Sequence, residues 1–187
     1  MENREENKER ESGKRTDGLV HIYCGDGKGK TTASVGAAVR AAGSGKKVVI
    51  KRFLKNDHSG EVLKQIPGIT VLPCTRQFGF SWKMSSQEKE EAKEYYGEEL
   101  EKAWKTAWGQ DADMLILDEA VGACSLGFIK EERLLELIGV KPEKLEVILT
   151  GRNPSKELLA AADYVTEMVM RAHPYTRGIP ARKGIEY

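Results

Sequence analysis

One stretch constrains this chain more than any other: Tyr23-Cys24-Gly25-Asp26-Gly27-Lys28-Gly29-Lys30-Thr31-Thr32. An apolar run through Leu19, Val20, Ile22 and Tyr23 leads into it, and helix-forming residues 33–42 lead out. Strand, glycine loop and helix in that order are the context of a phosphate-binding loop. Gly25, Gly27 and Gly29 carry no Cβ, so successive backbone N–H groups can turn toward one point. The helix that follows adds its unbonded N–H groups and the positive end of its dipole. In this pattern Lys30 reaches the β- and γ-phosphates, and the Thr31 hydroxyl holds Mg²⁺. Cys24 stands where the common form of the motif has its first glycine, and the three remaining glycines supply the flexibility. The loop predicts a nucleoside triphosphate ligand.

A chain of 187 residues is long enough for one domain with a sizeable core. Thirty basic and 29 acidic side chains give a net charge of +1, which draws the protein toward neither nucleic acid nor a membrane surface. Three cysteines, Cys24, Cys74 and Cys124, form no C-x-x-C pair, and an odd count suits a reducing cytoplasm. No apolar run approaches the length of a membrane span, and no signal peptide is expected at the start. Residues 1–17 are charged and nearly devoid of apolar side chains. They read as an arm that is solvated or that orders over a ligand. Residues 18–187 read as the folded domain.

Beyond the loop, apolar runs and amphipathic segments alternate. Val48 to Leu54 predicts a second strand after the helix stop Gly43-Ser44-Gly45. A short helix around residues 59–65 and a third strand over residues 69–72 follow, the latter stopped by Pro73. Ser85 and Glu88 have capping-box spacing and open a long helix running to about Trp108. Ala92, Tyr96, Leu100, Ala103, Trp104 and Ala107 make its apolar stripe. Residues 114–119 predict a strand ending in Asp118-Glu119, and residues 130–139 a helix. Residues 145–150 predict a fifth strand. Asn153 is expected to cap the next helix, with Pro154 in its first turn. A sixth strand is expected over residues 164–170. Repeated strand–helix alternation implies a three-layer α/β domain with a mostly parallel sheet.

In such a sheet, ligands bind beyond the carboxyl ends of the strands. The glycine loop, residues 74–84, Asp118-Glu119 and Gly151-Arg152 converge there. One of the two carboxylates is expected to reach Mg²⁺, directly or through water. Arg152 can fork onto phosphate oxygens, or lie exposed ahead of a helix. His173 can titrate, or be structural. Phe80 and Trp82 in Gly79-Phe80-Ser81-Trp82, with Gly79 to relieve the backbone, either fold into the core or form a flat apolar platform. From these residues an ATP- and Mg-dependent enzyme follows, and kinase, ATPase and transferase chemistry all stay open.

Several segments together resemble the P-loop ATP:corrinoid adenosyltransferases. They are the glycine loop, Gly79-Phe80-Ser81-Trp82, Leu117-Asp118-Glu119, Thr150-Gly151-Arg152, Ala162-Asp163 to Met168, and His173-Pro174-Tyr175 with Gly178-Ile179 and Gly184-Ile185-Glu186-Tyr187. The resemblance implies a P-loop NTPase (RecA-like) domain of about six strands. It implies transfer of the 5′-deoxyadenosyl group of ATP to a cobalt(I) corrinoid with release of triphosphate. By the same resemblance Gly25 to Thr32 and Arg152 bind ATP, and Thr31 and Glu119 contact Mg²⁺ or Mn²⁺. Lys30 stabilises the leaving group, and Phe80 and Trp82 lie beneath the corrin ring. A reduced flavoprotein electron donor, a homodimer and a cytoplasmic location belong to the same expectation. Ser81 stands where the family usually has threonine, and Arg52-Phe53-Leu54-Lys55-Asn56 departs from the family's usual segment after the second strand.

Overall fold

Six short apolar segments become strands: β1 (Val20–Cys24), β2 (Val48–Arg52), β3 (Ile69–Val71), β4 (Met114–Asp118), β5 (Glu146–Thr150) and β6 (Tyr164–Glu167). This computed structural model describes residues 17–55 and 61–186, so all of the expected arm (residues 1–17) except Asp17 lies outside the described residues. The strands line up in the order β3-β2-β4-β5-β1-β6. All five pairings are parallel. Parallel neighbours need crossovers, and helices supply them. These are α1 (Lys30–Gly43), α2 (Ser86–Gly109), α3 (Ala120–Ser125), α4 (Glu131–Gly139) and α5 (Lys156–Ala160). The described part of the β2–β3 crossing is a 3₁₀ turn, Glu61–Gln65.

Two-residue alternation in the strands assigns their side chains to two faces. Ile22, Val49, Leu115, Leu117, Val147 and Leu149 pack with Tyr96, Leu100 and Trp104 of α2. Val48, Ile50, Met114, Ile116 and Ile148 pack with Ala38 and Ala41 of α1 on the other side. The sheet is therefore the middle of three layers. β4 is buried along its whole length, while β6 is exposed at every residue because it closes an edge. Register brings the strand ends into one row: Arg52 lies opposite Asp118, and Tyr23 opposite Thr150.

α2 begins where its sequence says. The Glu88 N–H donates to Ser85 Oγ at 3.2 Å, and the Ser85 N–H donates to the Glu88 carboxylate at 2.7 Å. All six stripe residues are buried. Glu99 is buried among them, 6% exposed, a position that the apolar spacing does not announce. Its partner is Lys51 of β2, 0% exposed, which also donates to the Pro73 carbonyl at 2.9 Å. Burial lowers the Lys51 pKa to about 8, opposed by Cys74 and aided by Lys102.

The structure moves several expected boundaries. The fifth helix is capped by Ser155, whose hydroxyl accepts the Leu158 N–H at 3.0 Å. Asn153 has φ 54°, a left-handed conformation unlike the extended backbone of an N-cap, and the Ser125 hydroxyl donates to its carbonyl. β6 stops at Glu167 instead of Met170, because its partner β1 bends away at Gly25 and the chain follows the glycine loop. β3 ends at Val71, and α3 was not foreseen.

Breaking the buried ion pair tests its place in the core. Glu99→Gln leaves Lys51 without its carboxylate and is expected to cost about 3–5 kcal/mol, with the double variant Lys51→Met/Glu99→Leu recovering most of it. Urea unfolding midpoints measure both.

Candidate active site

At the carboxyl end of β1 the chain enters the glycine loop with Gly25 at φ 97° and leaves it with Gly29 at φ 117°. Both values are open to glycine and strained for other residues. Gly27 is small for a different reason. A Cβ there would lie 2.7 Å from the Met168 carbonyl oxygen, and the Gly27 N–H donates to that same oxygen at 2.7 Å. The segment after β6 thus lies across the loop, joined also by Met168 N–H to Cys24 O at 2.9 Å and Met170 N–H to Asp26 Oδ1 at 3.0 Å. The expected convergence of all loop N–H groups therefore needs one correction, since that of Gly27 is engaged by Met168. The first α1 bond, Ala33 N–H to Gly29 O at 2.7 Å, leaves the N–H groups of residues 30–32 ahead of the helical ladder at the loop's mouth.

Lys30 is buried, and its ammonium donates to the Gly25 and Gly27 carbonyls at 2.8 Å each. Burial lowers its pKa, the nearby Glu119 opposes this, and Arg152 and Lys55 add to the lowering. Asp26 is held below the usual carboxylate range by the Met170 N–H, with Arg152 and Lys30 contributing. Lys28 and Thr32 are exposed at the loop and the first turn of α1. Three cations, Lys30, Lys55 and Arg152, thus act on one short stretch of backbone, a field that favours an anion.

Next to the loop stands Asp118, 1% exposed. Its Oδ1 accepts from Thr31 Oγ1 at 2.8 Å and from Thr150 Oγ1 at 2.7 Å. Lys55 Nζ donates to Oδ2 at 2.9 Å and also to the Thr31 hydroxyl, and Arg52 Nε lies 3.7 Å from Oδ2. Glu119 has φ 63°, its N–H donates to Thr150 Oγ1 at 2.9 Å, and its carboxylate is 4.0 Å from Lys55 Nζ. Gly151 cannot be larger: a Cβ would sit 2.4 Å from the Gly122 nitrogen. Arg152 just beyond it is exposed.

Hydroxyl and carboxylate oxygens around a cation suit Mg²⁺, and the Lys55 ammonium against Thr31 and Asp118 marks where positive charge is favoured. Among the described residues no group of three or more His, Cys, Asp or Glu could hold a metal. The sequence pointed to Thr31 and Glu119; the structure puts Asp118 in direct contact with Thr31. Lys55 and Thr150 were not foreseen. Thr150 closes a strand at the ligand edge, a usable signal, whereas nothing local distinguishes Lys55.

Residues 74–84 settle the open choice about the aromatics. Phe78 turns inward, with its ring centroid 5.6 Å from those of Tyr95 and Tyr96. Phe80 and Trp82 face out, 63% and 74% exposed, and stack on each other at 4.6 Å with 17° between planes. Gly79 meets nothing within 4 Å where a Cβ would be, so the glycine expected to relieve the backbone ahead of the rings is not sterically required. His173 is structural here: its Nδ1 accepts the Tyr175 N–H at 3.2 Å and caps the turn Pro174–Arg177.

A phosphate loop and an outward aromatic pair at one sheet edge can now be set beside known proteins. The family profile of ATP:corrinoid adenosyltransferase BtuR/CobO/CobP matches residues 16–187. This chain belongs to that family. A corrinoid adenosyltransferase of Pseudomonas aeruginosa is 32% identical over 177 residues, covering 91% of this chain and 84% of that protein. The corrinoid adenosyltransferase of Escherichia coli K12 is 30% identical over 170 residues, covering 91% and 86%. The corrinoid adenosyltransferase CobA of Salmonella typhimurium is 29% identical over 178 residues, covering 91% and 86%. Family membership confirms the expected class of fold, and the all-parallel sheet agrees with it. Among the described residues no helix is long and apolar enough to cross a membrane.

The Gly27 contact yields a test. Gly27→Ala forces the loop and the Met168 segment apart, and ATP affinity is expected to fall about tenfold or more, the equivalent of one or two lost hydrogen bonds. Calorimetric titration with ATP, beside a thermal melt, measures it.

Proposed function

We propose that the protein transfers the 5′-deoxyadenosyl group of ATP to the cobalt(I) of a corrinoid and releases triphosphate. The observation that carries this reading is the exposed, stacked Phe80–Trp82 pair on the sheet edge that also bears the phosphate loop. Phosphoryl transfer to a small substrate gives such a pair no role, whereas a large flat ring system does.

In this reaction the cobalt(I) electron pair attacks the ribose C5′. A cobalt–carbon bond forms, the C5′–O bond breaks, and its electron pair departs on the triphosphate. No proton is removed from the nucleophile, so no protein base is required. The protein's task is to receive charge on the leaving group. We assign it to Lys30, which exchanges the Gly25 and Gly27 carbonyls for phosphate oxygens, and to the N–H groups opening α1. Arg152, whose charge is felt at Asp26 and Lys30, is assigned to phosphate as well. Asp26 and Gly27 keep the loop in shape under the Met168 segment, and exposed Lys28 is assigned to ATP.

We assign the metal to Thr31 with Asp118 or Glu119, where Lys55 now lies. Mg²⁺ or Mn²⁺ bound there supplies neutralisation of triphosphate charge. Phe80 and Trp82 form an apolar floor beneath the corrin that keeps a lower axial ligand off cobalt. A four-coordinate cobalt(II) is then easier to reduce, and a reduced flavoprotein is our candidate for the electron. A homodimer in the cytoplasm completes the reading, and the three free thiols accord with a reducing compartment.

Incubation of reduced corrinoid with ATP and Mg²⁺ is expected to give adenosylcorrinoid and triphosphate in equal amounts; ADP or phosphate without a corrinoid product would overturn the assignment. Lys30→Ala is expected to lower turnover by about 10²–10³-fold, the loss seen when one preorganised charge-stabilising donor is removed. Trp82→Ala should leave ATP binding intact while weakening the four-coordinate cobalt(II) signal in EPR spectra, and an unchanged spectrum would remove the aromatic floor from the mechanism.

A further inference from the structure

Phe80 and Trp82 are exposed, yet the chain that carries them is tied down on both sides by one helix. At the far end Met84 returns to the core and Ser85 caps α2. At the near end α2 presents Glu91, Tyr95, Tyr96 and Glu99, spaced so that they share one face. The Tyr95 hydroxyl oxygen accepts the Thr75 N–H at 3.0 Å and the Arg76 N–H at 3.2 Å. Thr75 Oγ1 at 3.3 Å and Cys74 Sγ at 3.7 Å lie within reach of its proton. A phenol has one donor and two acceptor positions, so this hydroxyl is fully engaged by one turn of loop backbone.

Two further contacts back it. Lys51, paired with Glu99, donates to the Pro73 carbonyl where the loop leaves β3. Arg76 pairs with Glu91 and lies 4.7 Å above the Phe78 ring, which itself packs on Tyr95 and Tyr96. The chain between Pro73 and Phe78 is thereby fixed to β2 and α2, through backbone atoms at Pro73, Thr75 and Arg76 and through side chains at Arg76 and Phe78. Only the segment that bears the stacked rings projects free of it.

We propose that Tyr95 is a positioning residue for the corrinoid: its hydroxyl, backed by the Lys51–Glu99 pair, sets where the Phe80–Trp82 floor stands relative to the phosphate loop. The proposal rests on the aromatic floor assigned above. Among the described residues, the hydrogen bonds that hold Asp118 and the glycine loop involve neither Tyr95 nor residues 73–78. Tyr95 therefore acts on corrinoid binding and leaves ATP binding alone.

Tyr95→Phe keeps the ring and its packing and removes only the hydroxyl. With cobalamin as the corrinoid, KM for cobalamin is expected to rise about tenfold, as for the loss of one or two ordinary hydrogen bonds, with KM for ATP and the melting temperature nearly unchanged. The four-coordinate cobalt(II) fraction in EPR spectra should fall with it. Trp82→Ala is measured in parallel. If Trp82→Ala disturbs cobalamin KM and the EPR signal while Tyr95→Phe does neither, the positioning role is overturned and the floor stands. If neither variant changes them, the floor and the positioning role both fall. If Tyr95→Phe lowers the melting temperature and raises KM for ATP and cobalamin together, Tyr95 is structural only and the proposal is overturned.

Discussion

A carboxylate buried at the end of a central strand must be paired, because an isolated ion there would cost several kcal/mol. Asp118 meets that demand with hydroxyls from α1 and β5 and with the ammonium of Lys55 beyond β2. Thr150, while donating to Asp118, accepts the Glu119 N–H, which steadies the left-handed residue after the strand. One side chain thus locks the start of the loop helix, two strand ends and a basic segment at a single point. The geometry of the glycine loop depends on that lock, since Thr31 belongs to the first turn of α1 and carries the helix N-terminus with it.

The other half of the site is held differently. Around Phe80 and Trp82 the supports are backbone carbonyls and N–H groups bound to Lys51 and Tyr95, with Phe78 as an apolar anchor. The division matches the reaction. Triphosphate needs a rigid array of donors and cations, whereas a corrin ring needs a flat apolar face. In the proposed reaction nucleophile and leaving group lie on opposite sides of the ribose C5′, an arrangement that two separately supported halves suit.

Much of this was legible along the chain. The glycine loop between an apolar strand and a helix, the capping box at Ser85 and the stripe from Ala92 to Ala107 all stand where local pattern put them. Local signals failed where a long-range contact decided the outcome. Asn153 lost the cap to Ser155 because its backbone is left-handed and its carbonyl is taken by Ser125. Glu99 sits inside an apolar stripe because Lys51, far away in sequence, is buried opposite it. Gly27 looked like a phosphate-facing amide and is instead the close approach of Met168.

By itself the sequence determined the order of the six strands and of every helix but α3, the position of the glycine loop and the presence of Phe80, Trp82, Asp118 and Glu119 beyond the carboxyl ends of the strands. Periodicity and turn chemistry are local properties, and they suffice for that. The tertiary structure alone decided which carboxylate meets Thr31, that Lys55 joins them, that Phe78 turns inward while Phe80 and Trp82 turn out, and that Tyr95 holds the loop. Those choices depend on which distant groups must be buried together and satisfied, a condition that no stretch of sequence expresses on its own.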